Sequence, residues 1–140
     1  MTKDILIHIS GLQMELDEKE PVEMMTTGAY YWKNGKHYIL YNEIEDNHQV
    51  VRNLLKIGPK TVEISKKGGS NSHMIFEKGK ENLSYYDTPA GSLLLGVSTS
   101  DIRWMEKEDH MKLQVDYDLS INADHISKCK IDVNIKSNEA

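Results

Sequence analysis

From Met111 to Ile121 every second residue is apolar. Met111, Leu113, Val115, Tyr117, Leu119 and Ile121 alternate with Lys112, Gln114, Asp116, Asp118 and Ser120. The period returns in Cys129, Ile131, Val133 and Ile135, set against Lys130, Asp132, Asn134 and Lys136. Successive side chains of a strand point to opposite faces, so strict alternation predicts strands with one buried and one wet face. Outside residues 13–22 no segment keeps a helical period over three turns. That acidic stretch ends at Pro21 and is expected to form a loop or one short helix.

Turn chemistry links the strands into hairpins. Asn34-Gly35 stands in the middle of YYWKNGKHYILYNE, residues 30–43. A type I′ turn needs positive φ at both central residues, which Asn-Gly supplies. Folding there sets Trp32 against His37, Tyr30 against Ile39, Gly28 against Tyr41 and Thr26 against Glu43. Tyr31 and Tyr38 pair on the other face, beside Ala29 and Leu40. Residues 49–57 return along 37–45 through the polar turn Glu45–Gln49, bringing Val51, Leu55 and Ile57 to Glu43, Ile39 and His37.

Gly58-Pro59 ends that strand, because proline has no ladder donor. Val62 and Ile64 then alternate with charges, and Gly68-Gly69 turns the chain into SHMIFEK. A turn at Gly79-Lys80 predicts Phe76 across from Leu83 and Met74 across from Tyr85. Thr88-Pro89-Ala90-Gly91 predicts a three-residue hairpin with a bulge, setting Tyr85 against Leu95 and Leu83 against Val97. A turn at Glu108-Asp109 places Trp104 beside Leu113 and Ile102 beside Val115.

Nearly all of these strands are joined by short turns. A meander of that length leaves two hazardous edges unless it closes. The expected fold is therefore all-β: one domain over residues 1–140, an antiparallel up-and-down (meander) barrel of about 8–11 strands. The rival is a two-sheet sandwich, whose Greek-key connections need longer crossovers than this chain offers.

The segments YILYNE, LLKI, MIFEKG, YYDTPAGSLLLGVST and LQVDYDLSIN stand in an order that resembles the YwiB-like family of small bacterial proteins. The likeness runs from about residue 4 to 136 and is carried by Tyr41, Glu43, Lys56, Ile57, Phe76, Gly79, Thr88, Pro89, Gly91, Thr99 and Tyr117. KKGG at 66–69 departs from it where an Arg-Gly pair is expected. The resemblance implies a calycin-like (lipocalin-like) barrel in a bacterial, cytoplasmic setting. It implies no function, because calycins include carriers and inhibitors alike and function lives in sites.

Composition narrows the partners. A chain of 140 residues buries roughly two thirds of its unfolded surface, enough for a core without staples. Asp plus Glu outnumber Lys plus Arg by 22 to 17, a net charge of −5, with no basic block. Nucleic acid and anionic membrane surfaces are therefore not expected partners. Cys129 is the only cysteine, which fits a reducing compartment and a cytoplasmic protein. The N-terminal MTKDILIHISGL is broken by His8, Ser10 and Gly11, too short and polar for a signal peptide or membrane span.

Motif chemistry is sparse. None of the six histidines lies within ten residues of another, and His125 with Cys129 reads as a turn entering a strand, so no metal is expected. There is no G-x-S-x-G elbow, no helix follows the glycine turns to cradle phosphate, and no cofactor motif is present. Cys129 falls on the apolar phase and reads as a buried thiol. Lys56 and Arg52 share the opposite phase with Tyr31, Tyr38, Leu40 and Leu54. An apolar patch on an outer wall suggests a partner, such as a second copy.

One constellation suggests a site. Glu43 shares its phase with Tyr30, Trp32 and Tyr41, with Asn53 opposite Tyr41. If that phase faces inward, a carboxylate and tyrosine hydroxyls sit among apolar walls, and Tyr117 is a candidate partner. This is the pattern of an amphipathic pocket. The alternatives are a satisfied network bracing a filled barrel, or a glutamate in solvent at the rim. The first functional expectation is thus non-catalytic binding of a small apolar or amphipathic ligand inside the barrel. The second is a protein-interaction module or homodimer scaffold with a filled core. An acid/base enzyme using Glu43 comes third, for want of a second catalytic group at a motivated spacing.

Overall fold

A computed structural model describes residues 2–11, 23–44, 48–68, 71–88 and 91–138. The expected helix or loop at 13–22 lies outside the described residues, as does most of the Glu45–Gln49 turn. Among the described residues there are ten strands and no helix. They are β1 (Asp4–Ser10), β2 (Glu23–Lys33), β3 (Lys36–Ile44), β4 (Val50–Ile57) and β5 (Thr61–Lys67). Then follow β6 (Ser72–Glu77), β7 (Glu81–Thr88), β8 (Gly91–Glu106), β9 (His110–Ile121) and β10 (Asp124–Ser137).

All pair antiparallel in one sheet, in the order β6-β5-β4-β3-β2-β1-β10-β9-β8-β7. Each strand thus lies beside its sequence neighbour, save that β1 pairs with β10 and β6 does not ladder with β7. The result is a nearly closed up-and-down barrel whose seam lies between β6 and β7. This corrects the hairpin expected at Gly79. Phe76 and Met74 pair with Val62 and Ile64 on β5, not with Leu83 and Tyr85. The turn is tied to β8 instead: Gly79 N donates to Thr99 O at 2.8 Å, and Thr99 N donates to Lys80 O at 3.1 Å.

Where turn chemistry was strongest, the register is as read. Asn34 (φ 54°) and Gly35 (φ 73°) form the turn that sets Tyr30↔Ile39, Tyr31↔Tyr38 and Trp32↔His37. The ladders Glu43↔Val51, Ile39↔Leu55 and Trp104↔Leu113 also match. The β2–β3 ladder ends at Ala29↔Leu40, so Thr26 and Glu43 are not partners.

On β7 the register differs by one residue. Thr88 pairs with Gly91, so Tyr85 meets Leu94 and Leu83 meets Gly96. A one-residue slip turns every side chain to the other face. Leu83 and Tyr85 accordingly lie outside, 62% and 68% exposed, rather than in the core. Strand β10 starts at Asp124, earlier than its apolar alternation suggested, after a turn with Asn122 and Ala123 both at positive φ.

The interior is a continuous apolar core. Strand β9 contributes Met111, Leu113, Val115, Tyr117, Leu119 and Ile121, all buried. Ile5, Ile7, Ile39, Leu55, Met74, Phe76, Ile131 and Ile135 join them from the other walls. The alternative of a barrel filled by large side chains therefore describes its middle. Its two ends differ.

Candidate functional site

In an up-and-down barrel, alternate turns gather at one end. The turns after β2, β4, β6 and β8 do so here. Gly35, Gly58–Lys60 and Lys78–Lys80, together with Trp104 near the end of β8, rim a cavity of about 630 Å3. Its floor is apolar: Ile57, Val62, Ile102 and Leu113. Its polar lining is Lys60, Thr61, Lys78, Lys80, Glu77 and His37.

His37 is the centre of this mouth. The Asn34-Gly35 hairpin places it across from Trp32, on the inward phase. The Trp32 ring stands edge-on to it at 4.7 Å and the Trp104 ring lies tilted at 5.0 Å. Tyr30 Oη is 2.7 Å from His37 Nδ1. Burial, and then the charge of Glu106, raise the Tyr30 pKa, so the phenol keeps its proton. The Glu106 carboxylate on the Nε2 side favours the tautomer with its hydrogen on Nε2, in which Nδ1 accepts from the phenol. Glu106 Oε2 lies 3.7 Å from Nε2, beyond hydrogen-bond length. The mouth therefore offers flat aromatic walls, an oriented imidazole N–H and exposed ammonium groups at the rim.

His37 also has a consequence for stability. Burial lowers its pKa from the ordinary 6.5, with Glu106 opposing in part. The unfolded chain then takes up a proton that the fold refuses. Stability from neutral His37 is present above about pH 6.5 and is lost as pH falls through the lowered folded value. Urea unfolding at pH 7.5 and pH 5 should show a smaller acid loss in His37→Gln than in the native protein. Equal losses would contradict the assignment.

The residues singled out from the sequence divide between the ends. Tyr30 and Trp32 belong to the mouth, with Trp32 at its rim and 61% exposed. Tyr41, Glu43 and Asn53 lie toward the opposite end, since Glu43 is six residues along β3 from His37, about 20 Å at strand rise. There Lys66 Nζ reaches Glu43 Oε1 at 3.3 Å, both side chains largely shielded. Tyr41 is buried, and burial followed by Glu43 drives its pKa far up. Asn53 is buried beside it, its Nδ2 donating to Val51 O at 3.4 Å. Tyr117 sits mid-barrel against Phe76, ring centroids 5.0 Å apart, next to Thr99 and Cys129. Burial, then Cys129, push its pKa far up.

Glu43, Lys66 and the neighbouring Asn53 and Tyr41 thus form a braced polar end. Glu43's partner is Lys66, 23 residues on, rather than Tyr117, which sits mid-barrel. His37, Trp104, Glu106 and the three lysines were not among the expected site residues. The signal was present in the turns: in a meander, residues beside alternate turns share a mouth. Three other histidines take separate partners, His8 standing by Glu23. His73 stands by Glu63 and His125 by Asp118, while Cys129, only partly buried, lies 3.2 Å from Ser127 Oγ. Among the described residues, no three His, Cys, Asp or Glu side chains gather as a metal group.

The sequence model of a domain of unknown function, DUF1934, matches residues 7–133. The chain belongs to the DUF1934 family. The resemblance read from the sequence is borne out by a relative: the DUF1934 chain is 26% identical over 117 residues to the uncharacterised β-barrel protein YwiB of Bacillus subtilis (strain 168). That alignment spans 84% of this chain and 82% of the relative. The fold also matches the crystal structure of the ywiB protein from Bacillus subtilis, with a TM-score of 0.80 and 23% identity. The match covers 98% of the DUF1934 chain and 93% of the other, and it shows a shared barrel.

Proposed function

We propose that this barrel is a non-catalytic, cytoplasmic binding protein that takes a small apolar or amphipathic molecule at its mouth. One observation carries the reading: the chain's two tryptophans converge with His37 on a single cavity of about 630 Å3. That volume falls within the range of roughly 300–1,000 Å3 typical of small-molecule sites, and apolar walls with few polar groups are their usual lining. A calycin-like mode of binding accords with a nearly closed barrel. The site differs from the interior pocket expected from sequence, because large side chains occupy the barrel's middle.

Both tryptophans report on the mouth, so their emission tests it directly. Titration with naphthalene derivatives and medium-chain fatty acids should give a saturable shift with one site per chain. Trp104→Ala should weaken the best of these by about tenfold, as expected for loss of an aromatic anchor. An emission spectrum unmoved by every probe, with only the bare-chain mass in native mass spectrometry, would remove this reading.

A second reading is favoured by the outer wall. Leu6, Tyr31 and Leu40, on adjoining strands β1, β2 and β3, are each exposed. A homodimer through that wall would cover them. Sedimentation at rising concentration should then show self-association that Leu40→Lys abolishes. A monomer at every concentration counts against it.

A further inference from the structure

One side of the mouth is rich in lysine on an acidic protein. The chain carries a net −5, yet the cavity lining gathers Lys60, Lys78 and Lys80 on one side with Glu77, while Asp101 and Glu106 stand beside Lys78 and His37. Two of these lysines are tethered, Lys78 Nζ at 3.5 Å from Asp101 and Lys80 Nζ at 3.4 Å from Glu77. Both are well exposed, and pairs of that kind contribute little. An ammonium has three donors, so each tether holds a cation at the rim and leaves donors for a guest. The lysine side of such a cleft attracts a counter-charged ligand.

Shape adds a second constraint. The walls are two indole rings over an apolar floor, which favours a flat ring over a flexible chain because aromatic faces and edges pack with defined geometry. Glu106 then sets the orientation. Its carboxylate beside His37 Nε2 opposes a negative charge on the His37 side of the mouth. The charge must therefore point away from His37, toward the lysines.

We propose that the mouth takes a planar aromatic molecule bearing an oxyanion, its ring against the Trp32, His37 and Trp104 cluster and its oxyanion among Lys60, Lys78 and Lys80. This inference rests on the binding reading above and names the ligand class of the same site. His37 Nε2–H supplies a donor to an acceptor on the ring, such as a carbonyl or hydroxyl.

Four matched probes test it by calorimetry: 1-naphthoate, 1-naphthamide, 1-naphthylmethylamine and decanoate. The expected order places 1-naphthoate about tenfold tighter than the amide, the amine weakest, and decanoate below 1-naphthoate. Added salt should weaken 1-naphthoate and spare the amide. In Lys60→Gln/Lys78→Gln/Lys80→Gln the preference for 1-naphthoate over the amide should fall to near parity. Lys128→Gln/Lys130→Gln, whose lysines line a separate groove beside Cys129, should keep it. Should the triple variant fail to fold, Lys60→Gln alone should still lower the preference about threefold. Equal affinity for 1-naphthoate and the amide leaves the binding reading standing and overturns the oxyanion. Decanoate binding as tightly as 1-naphthoate overturns the ring. No binding by any of the four removes the binding reading and this inference with it.

Discussion

Replacing Phe76 with alanine is expected to lower the free energy of unfolding by about 3–5 kcal/mol, the range for emptying a buried phenylalanine site. Phe76 is 0% exposed and meets Tyr117 edge-on, ring centroids 5.0 Å apart at 71°. Its position raises the stakes. Strand β6 ladders only with β5, and its other edge faces the seam. The Phe76–Tyr117 contact spans that seam from inside, joining the last strand of one half of the sheet to β9. The variant loses apolar burial, an aromatic pair and one of the few links that close the barrel. Against a total of about 5–15 kcal/mol for a domain, that loss is large. Guanidinium unfolding followed by circular dichroism measures it. Leu83→Ala, on the exposed face across the seam, should stay within about 0.5 kcal/mol. If Phe76→Ala does not fold, Phe76→Leu should still show a lowered midpoint. A loss for Phe76→Ala no larger than for Leu83→Ala would mean that side-chain packing does not hold the seam.

The seam also marks the limit of what local sequence shows. Asn34-Gly35 dictates its turn, and the register of β2 and β3 follows residue by residue. Alternation on β9 has one reading only, and all six of its apolar side chains are buried. In residues 82–86, NLSYY, the pattern is ambiguous. Leu83 and Tyr85 make one apolar phase, while Asn82, Ser84 and Tyr86 make a phase that looks wetter. Hydrophobicity chose the first and the structure takes the second, because Thr88 pairs with Gly91 and the ladder counts back from there. The pairing of β1 with β10 joins the two ends of the chain, so no neighbouring residue signals it.

The site was legible in the same uneven way. Phase told which side chains point inward, and Tyr30, Trp32, Tyr41 and Glu43 do share a face of their strands. Phase says nothing about height along the barrel. Trp32 and Glu43 therefore looked like one site, though Trp32 stands at the rim of the mouth and Glu43 at the braced far end. Height follows from counting residues to the nearest turn and noting which turns share an end. By that count His37 and Trp104 belong beside Trp32, and Lys60, Lys78 and Lys80 form its rim. The pairing of Glu43 with Lys66 needed the β4–β5 register as well, where Asn53 meets Lys66.

Gly28→Val is expected to cost at least the upper part of the roughly 1–3 kcal/mol typical of overpacking. Gly28 sits where β2 leaves β3, one residue past the Ala29↔Leu40 pair. It stays in register with Ile5 on β1. A Cβ there would lie 2.5 Å from the Leu40 carbonyl oxygen, 2.6 Å from Ile7 Cδ1 and 3.4 Å from Tyr41 Cβ. Neither of the first two can yield cheaply. One is backbone, and the other belongs to a side chain only 1% exposed in the core. Gly28 is not among the positive-φ glycines, so it is space rather than backbone conformation that requires glycine. Any side chain must push β2 outward or rotate the Leu40 peptide, widening the fork in the wall. Gly28→Ala should show a smaller loss in the same direction. Gly58→Ala is the fair comparison, because its Cβ would meet only the flexible stem of Lys36, nearest atom 3.3 Å away. That variant should unfold within about 0.5 kcal/mol of the native protein. If Gly28→Ala matches it, β2 and β3 are not in contact at the fork, and the wall is looser there than its backbone implies.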